Sequence, residues 1–318
     1  MNGVQRFFRA IGRRLPNWRR GRAENGSDPR GDRAERSLFI LGHARSGTTI
    51  LQNALNDSRD VFLLGEADLH TDPGTPDFRT RYNARQRGFG NQENKSSFCP
   101  KLFDADAAWD AYLAVLMDHY RYAGAKIVVN PLGAEAAADQ LFDFATRYFY
   151  RGQYIFSFRN PVDVLCSTQG MASFQGLKPE SAGTILHSFL VVMRLHIRML
   201  RNLPNVHAVF HEAMSPAVFA ALGTRLGVDL GGAYRYYSNL KVRTYRKEDV
   251  AGDAALVEQV IALYEEFRRQ ALDGFELVQI EQNSGSIDPT HPTPLGRLYR
   301  GIEAAITACA PKSADAAA

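Results

Sequence analysis

Eight residues, Gly42-His-Ala-Arg-Ser-Gly-Thr-Thr49, have the types and spacing of an anion cradle. Four apolar residues, Leu38 to Leu41, precede them and read as a short buried strand of a parallel sheet. Gly42 opens a turn, and Gly47 permits a backbone that comes close to a ligand. Thr48 and Thr49 then begin a helical run. A strand, a glycine loop and a helix N-terminus together aim backbone N–H groups and a favourable dipole at negative charge. The spacing is that of a phosphate loop, G-x-x-x-x-G-[KST]-[ST]. The lysine that meets the terminal phosphates of a nucleoside triphosphate is replaced by Thr48. The cation stands instead at Arg45, inside the loop. Such a loop suits one phosphate and a cation beside its leaving oxygen better than it suits triphosphate hydrolysis.

Further candidates stand where strands end. Val61-Phe-Leu-Leu64 is apolar and is followed by Gly65-Glu66, with His70 close behind. In open parallel sheets ligands sit at the carboxyl ends of the strands, which makes Glu66 a candidate general base and His70 its rival. Tyr154 to Phe158 is another strand, and it runs into Arg159-Asn-Pro-Val-Asp-Val-Leu-Cys-Ser167. Pro161 is tolerated in the first turn of a helix and Asn160 can cap it. Arg159 then stands at the strand end, and Ser167 lies two turns along the helix. A forked cation and a hydroxyl suit an isolated phosphate; the plainer alternative is a capped helix whose arginine makes a structural salt bridge. Lys126 lies at a strand and is open to two readings, an assisting cation or an edge lysine that snorkels to solvent.

These residues need a scaffold, and the hydrophobic pattern supplies one. Strands are expected at 38–41, 61–64, 126–129, 154–158 and 206–210. Helices are expected at 50–55, 106–122, 134–149, 180–202, 214–226, 254–272 and 295–308. The alternation predicts an α/β fold of phosphate-loop type with three layers, a central parallel sheet of about five strands flanked by helices. Residues 71–104 read as one long polar loop on the acceptor side. Residues 235–250 are basic and aromatic and read as a loop able to close over a nucleotide or simply to face solvent.

The length of 318 residues and the 45% hydrophobic content allow a sizeable core. Cys99, Cys166 and Cys309 are too few and too scattered for a disulfide framework or a zinc site, and they favour a reducing compartment. No stretch reaches the roughly 20 apolar residues of a membrane span, and the first forty residues lack the apolar region of a signal peptide. Ten of the 38 basic and four of the 34 acidic residues fall in 1–36, which leaves +6 on that arm and −2 on the rest. The body is therefore not expected to bind nucleic acid. Val4, Phe8, Ile11 and Leu15 make the arm a short amphipathic basic helix, compatible with an anionic membrane surface through residues 1–20 or with a solvated tail. The expected organisation is an arm at 1–36, an α/β domain at 37–282 and a peripheral tail at 283–318. The expected location is the cytoplasm, at or near the membrane surface.

Two segments together carry a family resemblance. Gly42 to Thr49 resembles the 5′-phosphosulfate loop of the sulfotransferases that use 3′-phosphoadenosine 5′-phosphosulfate (PAPS). Arg159 to Ser167 resembles their 3′-phosphate motif, R-x-P-x-D-V-x-x-S. Arg45 and a glutamate after the second strand look more like the carbohydrate and bacterial sulfotransferases than the cytosolic phenol type. The glycine-rich nucleotide loop of the cytosolic members has no clear copy in 235–250. The resemblance implies in-line sulfuryl transfer from PAPS to a hydroxyl or amine of a saccharide, glycolipid or small metabolite, with no metal and with adenosine 3′,5′-bisphosphate as the product. It further implies that Glu66 takes the acceptor proton, with His70 as rival. Arg45 and the N–H groups from Ser46 through Gly47 and Thr48 to Thr49 would hold the leaving phosphate, and Arg159 and Ser167 the 3′-phosphate. A phosphate-loop nucleotide or small-molecule kinase shares the fold and is the alternative, although it calls for the lysine that Thr48 replaces. A non-catalytic relative that binds nucleotide is a second, against which Glu66 and Arg45 speak.

Overall fold

The structure, a computed structural model, describes residues 34–65, 68–71, 78–81, 106–108, 116–238, 244–246, 250, 254–273 and 294–309. The amphipathic arm and Glu66 lie outside the described residues. In chain order the elements are β1 (Ser37–His43), α1 (Thr48–Asn56), β2 (Val61–Leu64), β3 (Asp68–Thr71), β4 (Phe78–Arg81), β5 (Asp106–Ala108), β6 (Tyr122–Val129), α2 (Ala134–Tyr148), β7 (Gln153–Phe158), α3 (Pro161–Phe174), α4 (Ala182–Asn202), β8 (Val206–Phe210), α5 (Pro216–Leu226), a single helical turn at Arg235–Ser238, α6 (Ala254–Leu272) and α7 (Pro294–Cys309). Five strands form one parallel sheet in the order β2-β6-β1-β7-β8. β3, β4 and β5 form a small antiparallel sheet of their own.

β1 is the central strand, and all seven of its residues are buried. A strand covered on both faces must be apolar throughout, which is why Leu38 to Leu41 do not alternate with polar residues. Its side chains still alternate in direction. Leu38 and Ile40 join Leu51 and Leu55 of α1 and Phe219 and Leu222 of α5 on one face. Phe39 and Leu41 join Phe144 of α2, Phe189 of α4, Tyr264 of α6 and Ile302 of α7 on the other. Rings cluster on that second face: Phe39 meets Phe144 edge-on at 5.2 Å, and Phe158 meets Phe267 edge-on at 4.8 Å between centroids.

α4 is the main core helix. It is long and apolar enough to cross a bilayer, unlike the sequence expectation, but 72% of its most apolar window is buried inside the protein. Arg194, at 14% exposure, ties α4 to α2 through Glu135 and to α7 through Glu303 at 3.3 Å. The C-terminal helix α7 accordingly packs into the core, where the sequence reading set it at the periphery. Leu295, Leu298, Ile302 and Ile306 recur at helical spacing and are all buried against α4 and α6. The Pro-, Ser- and Ala-rich flanks hid that short stripe.

Three other stretches differ from expectation. Residues 106–108 are strand rather than helix, and of the described residues from 116 to 121 only Leu116 and Met117 are helical. The third strand of the main sheet begins at Tyr122, four residues before the expected Lys126. Tyr122-Ala-Gly-Ala is a weak strand sequence by propensity, but it is held by neighbours on both sides, β1 and β2. Within the expected loop at 71–104, Thr71 ends β3 and 78–81 form β4. β2, at the sheet's end, is shielded by α1: Leu63 N–H donates to Asn56 Oδ1 at 2.7 Å, and Leu63 O accepts from Gln52 Nε2 at 2.9 Å and Asn56 Nδ2 at 3.0 Å.

Gly124 sits where β6 meets β1. A Cβ there would lie 1.8 Å from Leu38 O, a backbone atom that cannot swing aside. Gly124→Ala should therefore pry β6 from β1 and lower stability by about 1–3 kcal/mol. The urea midpoint measures it, and a midpoint equal to wild type would contradict the close packing of these two strands.

Candidate active site

The chain leaves β1 at His43 and is turned by its neighbours. Ala44 N–H donates to Val129 O of β6 at 3.0 Å. Ser157 Oγ of β7 donates to Ser46 O at 2.9 Å. Within the loop, Ser46 N–H and Ser46 Oγ both reach back to His43 O, at 3.2 and 2.7 Å. Ser46 is wholly buried. Its polar groups thus shape the loop, and its N–H, expected to face a phosphate, is engaged internally. Arg45 has φ 69°, a left-handed conformation that costs a residue with a Cβ about 1–3 kcal/mol. Gly47 has φ 89°, and a Cβ there would also lie 2.6 Å from His211 Nδ1. No side chain caps α1 at Gly47. The N–H groups of its first turn, at Thr48 and Thr49, are therefore presented at the loop with the positive end of the helix dipole, as an anion requires.

The second motif follows the adjacent strand β7 and runs into α3. Asn160 Oδ1 accepts from Val162 N–H at 2.9 Å and Pro161 occupies the first turn, so the cap expected from sequence is present. Arg159, at 12% exposure, pairs with Asp163 one turn on: Nη2 and Nε lie 3.2 and 3.3 Å from Oδ2. Asp163 Oδ1 accepts in turn from Tyr245 N–H at 2.8 Å. This is the structural salt bridge that the sequence left as the alternative for Arg159. Ser167 does not stand apart with Arg159. Its Oγ accepts from Arg45 Nε at 3.0 Å, across 122 positions of chain. The loop cation and the hydroxyl of the second motif thus meet over the carboxyl ends of β1 and β7.

The model of the sulfotransferase family matches residues 37–214, which hold both motifs and all five strands of the main sheet. The chain belongs to the sulfotransferase family. Sulfotransferases of this kind generally draw on PAPS. Two solved structures are similar. A sulfotransferase domain from the curacin biosynthetic pathway is 17% identical, with 68% of this chain and 78% of that one covered and a TM-score of 0.40. A sulfotransferase domain from the Synechococcus PCC 7002 olefin synthase is 16% identical, with 78% and 93% covered and a TM-score of 0.41. No curated protein matches the chain.

The candidate site also holds residues to which the sequence alone assigned no role. His211 and Glu212 follow the last strand, β8. The His211 ring lies against Gly47 and 5.4 Å from the ring of Tyr237. Burial first, then the Arg159 guanidinium, push its pKa down to about 4, while Asp163 pulls the other way. Glu212 accepts from Asn160 N–H through Oε1 and from Tyr264 Oη through Oε2 at 3.1 Å. It thereby holds the turn that carries Arg159. The available signal was positional, a polar pair at the carboxyl end of a parallel strand.

Lys126 is neither at an edge nor snorkelling. β6 is an inner strand, Lys126 is 2% exposed, and its Nζ donates to Thr49 Oγ1 at 2.8 Å. Of the two proposed bases, Glu66 lies outside the described residues. His70 falls on β3, where its backbone pairs with Arg79 of β4.

His43 closes the underside of the loop. Burial pushes its pKa down to about 4, so the ring is neutral. Its Nδ1 lies 2.6 Å from Ala44 O, and a carbonyl only accepts, so Nδ1 carries the proton. Nε2 lies 2.7 Å from Ser188 Oγ on α4, whose hydroxyl also donates to Ile185 O at 2.7 Å. His196, His207 and His211 are likewise pushed down, to about 3, about 4 and about 4, chiefly by burial. Unfolded, each titrates near 6.5. Between about pH 6.5 and about pH 4 the unfolded chain therefore binds protons that the native state refuses, and stability falls as pH falls. His43 and His196, at 1% and 0% exposure, should each remove about 1.4 kcal/mol per pH unit across that window. Urea unfolding at neutral pH and at about pH 5 measures the drop; equal stabilities would mean that these rings are protonated in the fold.

Proposed function

We propose that this sulfotransferase takes PAPS as its donor and transfers the sulfuryl group to a hydroxyl or amine of a carbohydrate, a glycolipid or another small metabolite. The observation that carries the reading is the Arg45–Ser167 hydrogen bond, which joins the loop to the Arg–Ser motif. A ligand with a 5′-phosphosulfate and a 3′-phosphate would engage both. The N–H groups at the start of α1 and Arg45 would neutralise the leaving 5′-phosphate oxygen. Arg159, held in plane by Asp163, and Ser167 would take the 3′-phosphate. The acceptor oxygen or nitrogen attacks sulfur in line; its bond to sulfur forms as the bridging bond from sulfur to the 5′-phosphate oxygen breaks. The electron pair leaves with that phosphate, and the acceptor proton passes to Glu66, the proposed base. Most of the acceleration would then come from position and charge.

Adenosine 3′,5′-bisphosphate should bind without magnesium and well ahead of ATP, since Thr48 replaces the triphosphate-binding lysine. Calorimetry with both ligands tests this. Equal affinities, or a magnesium requirement, would favour a kinase instead.

Glu66→Gln keeps shape and removes basicity. It should leave bisphosphate binding unchanged and lower kcat by about 10²–10⁴, the usual worth of a positioned base. His70→Ala should do much less in the same PAPS-dependent assay, and the reverse order would move the role to His70.

A further inference from the structure

Lys126 is a charged residue in an inner strand, at 2% exposure. Burying an ammonium costs several kcal/mol unless its partners repay it. In register it stands opposite Ile40, two residues before the point where β1 reaches Gly42. Tyr122, four positions from Lys126 along β6 and so on its side of the strand, packs with Leu51 and Leu55 of α1. Lys126 thus lies on the α1 side of the sheet, and its Nζ donates to Thr49 Oγ1 at 2.8 Å. Thr49 is exposed, and it is the second residue of α1, in the turn whose N–H groups face the cradle. An ammonium can only donate, so the threonine oxygen accepts and keeps its own proton to give.

We propose that Lys126 is a positioning residue of the donor site. It supplies, from the neighbouring strand, the positive charge that the loop lacks at Thr48, and it acts through the Thr49 hydroxyl on the 5′-phosphate group. The ammonium orients that hydroxyl and polarises it, so that its proton is offered to the phosphate as a stronger hydrogen bond. The charge stays sheathed while its effect reaches the crevice. Arg45 and Lys126 would then flank the 5′-group from opposite sides, one exposed in the loop and one buried behind the helix.

The inference rests on the proposed donor for its probes, which are two nucleotides that differ only at the 5′-position. Adenosine 3′,5′-bisphosphate and adenosine 3′-monophosphate are titrated by calorimetry into wild type, Lys126→Met, Thr49→Ala and the double variant. Lys126→Met should weaken the bisphosphate about tenfold, the usual loss for a charge-assisted hydrogen bond, and leave the 3′-monophosphate unchanged. Thr49→Ala should do the same, and the double variant should lose no more than either single one. If Lys126→Met does not fold, Lys126→Gln, which keeps a neutral donor, is read by the same ratio and should lose an intermediate amount. Equal losses for both nucleotides, no loss for either, or additive losses in the double variant would overturn the role of Lys126. Failure of wild type to bind the bisphosphate would overturn the donor assignment itself, and the role of Lys126 with it.

Discussion

The loop after β1 is held from both sides by the strands that flank it. Val129 O of β6 takes the Ala44 N–H, and Ser157 Oγ of β7 donates to Ser46 O. A backbone leaving a buried strand cannot carry unpaired polar groups, so it turns where those partners stand. The rest of the site depends on that clamp. It fixes the left-handed conformations at Arg45 and Gly47, sets the first residue of α1, and aims the uncapped turn of that helix across the carboxyl end of the sheet. Ser46, engaged twice with His43 O, fills the space beneath.

Arg45 is the residue on which this geometry is concentrated. A left-handed arginine stores backbone strain, which persists only where surrounding contacts over-determine it. The bond to Ser167 is one such contact, and it joins two segments that share no local structure. Because β7 lies directly beside β1, the helix that follows β7 starts one strand spacing from the loop, and the guanidinium can span the gap. For the proposed donor, a nucleotide with a phosphate group at each end, adjacency of these two strands would let both ends be held at once.

Charge in the crevice is arranged in pairs at different depths. Arg159 is paired with Asp163, itself fixed by the Tyr245 backbone, while Glu212 holds the turn between Arg159 and Pro161. His211 is kept neutral beside Arg159, so the crevice does not gather a further positive charge near neutral pH. On the loop's underside a neutral His43 ties the backbone to α4, the most buried helix. Polar groups placed this deep rigidify a site only when their partners are fixed too.

Much of the scaffold was legible in the sequence. The apolar runs of β1 and β7, the glycine loop, the Asn160 cap and the spans of α2, α4, α5 and α6 are local matters, set by side-chain period and by the few residues a turn admits. Both motifs, with the family they point to, were readable for the same reason. The early start of β6 was not, because neighbours on both sides override a weak propensity. Nor was the burial of α7, whose stripe makes sense only against α4 and α6. Within the site, tertiary structure alone decided that Arg45 meets Ser167, that Ser46 turns inward, that His211 lies on Gly47, and that Lys126 is sunk behind Thr49. A sequence specifies which face of an element is apolar, whereas these contacts depend on which strands become neighbours, and that is chosen by the packing of all the faces together.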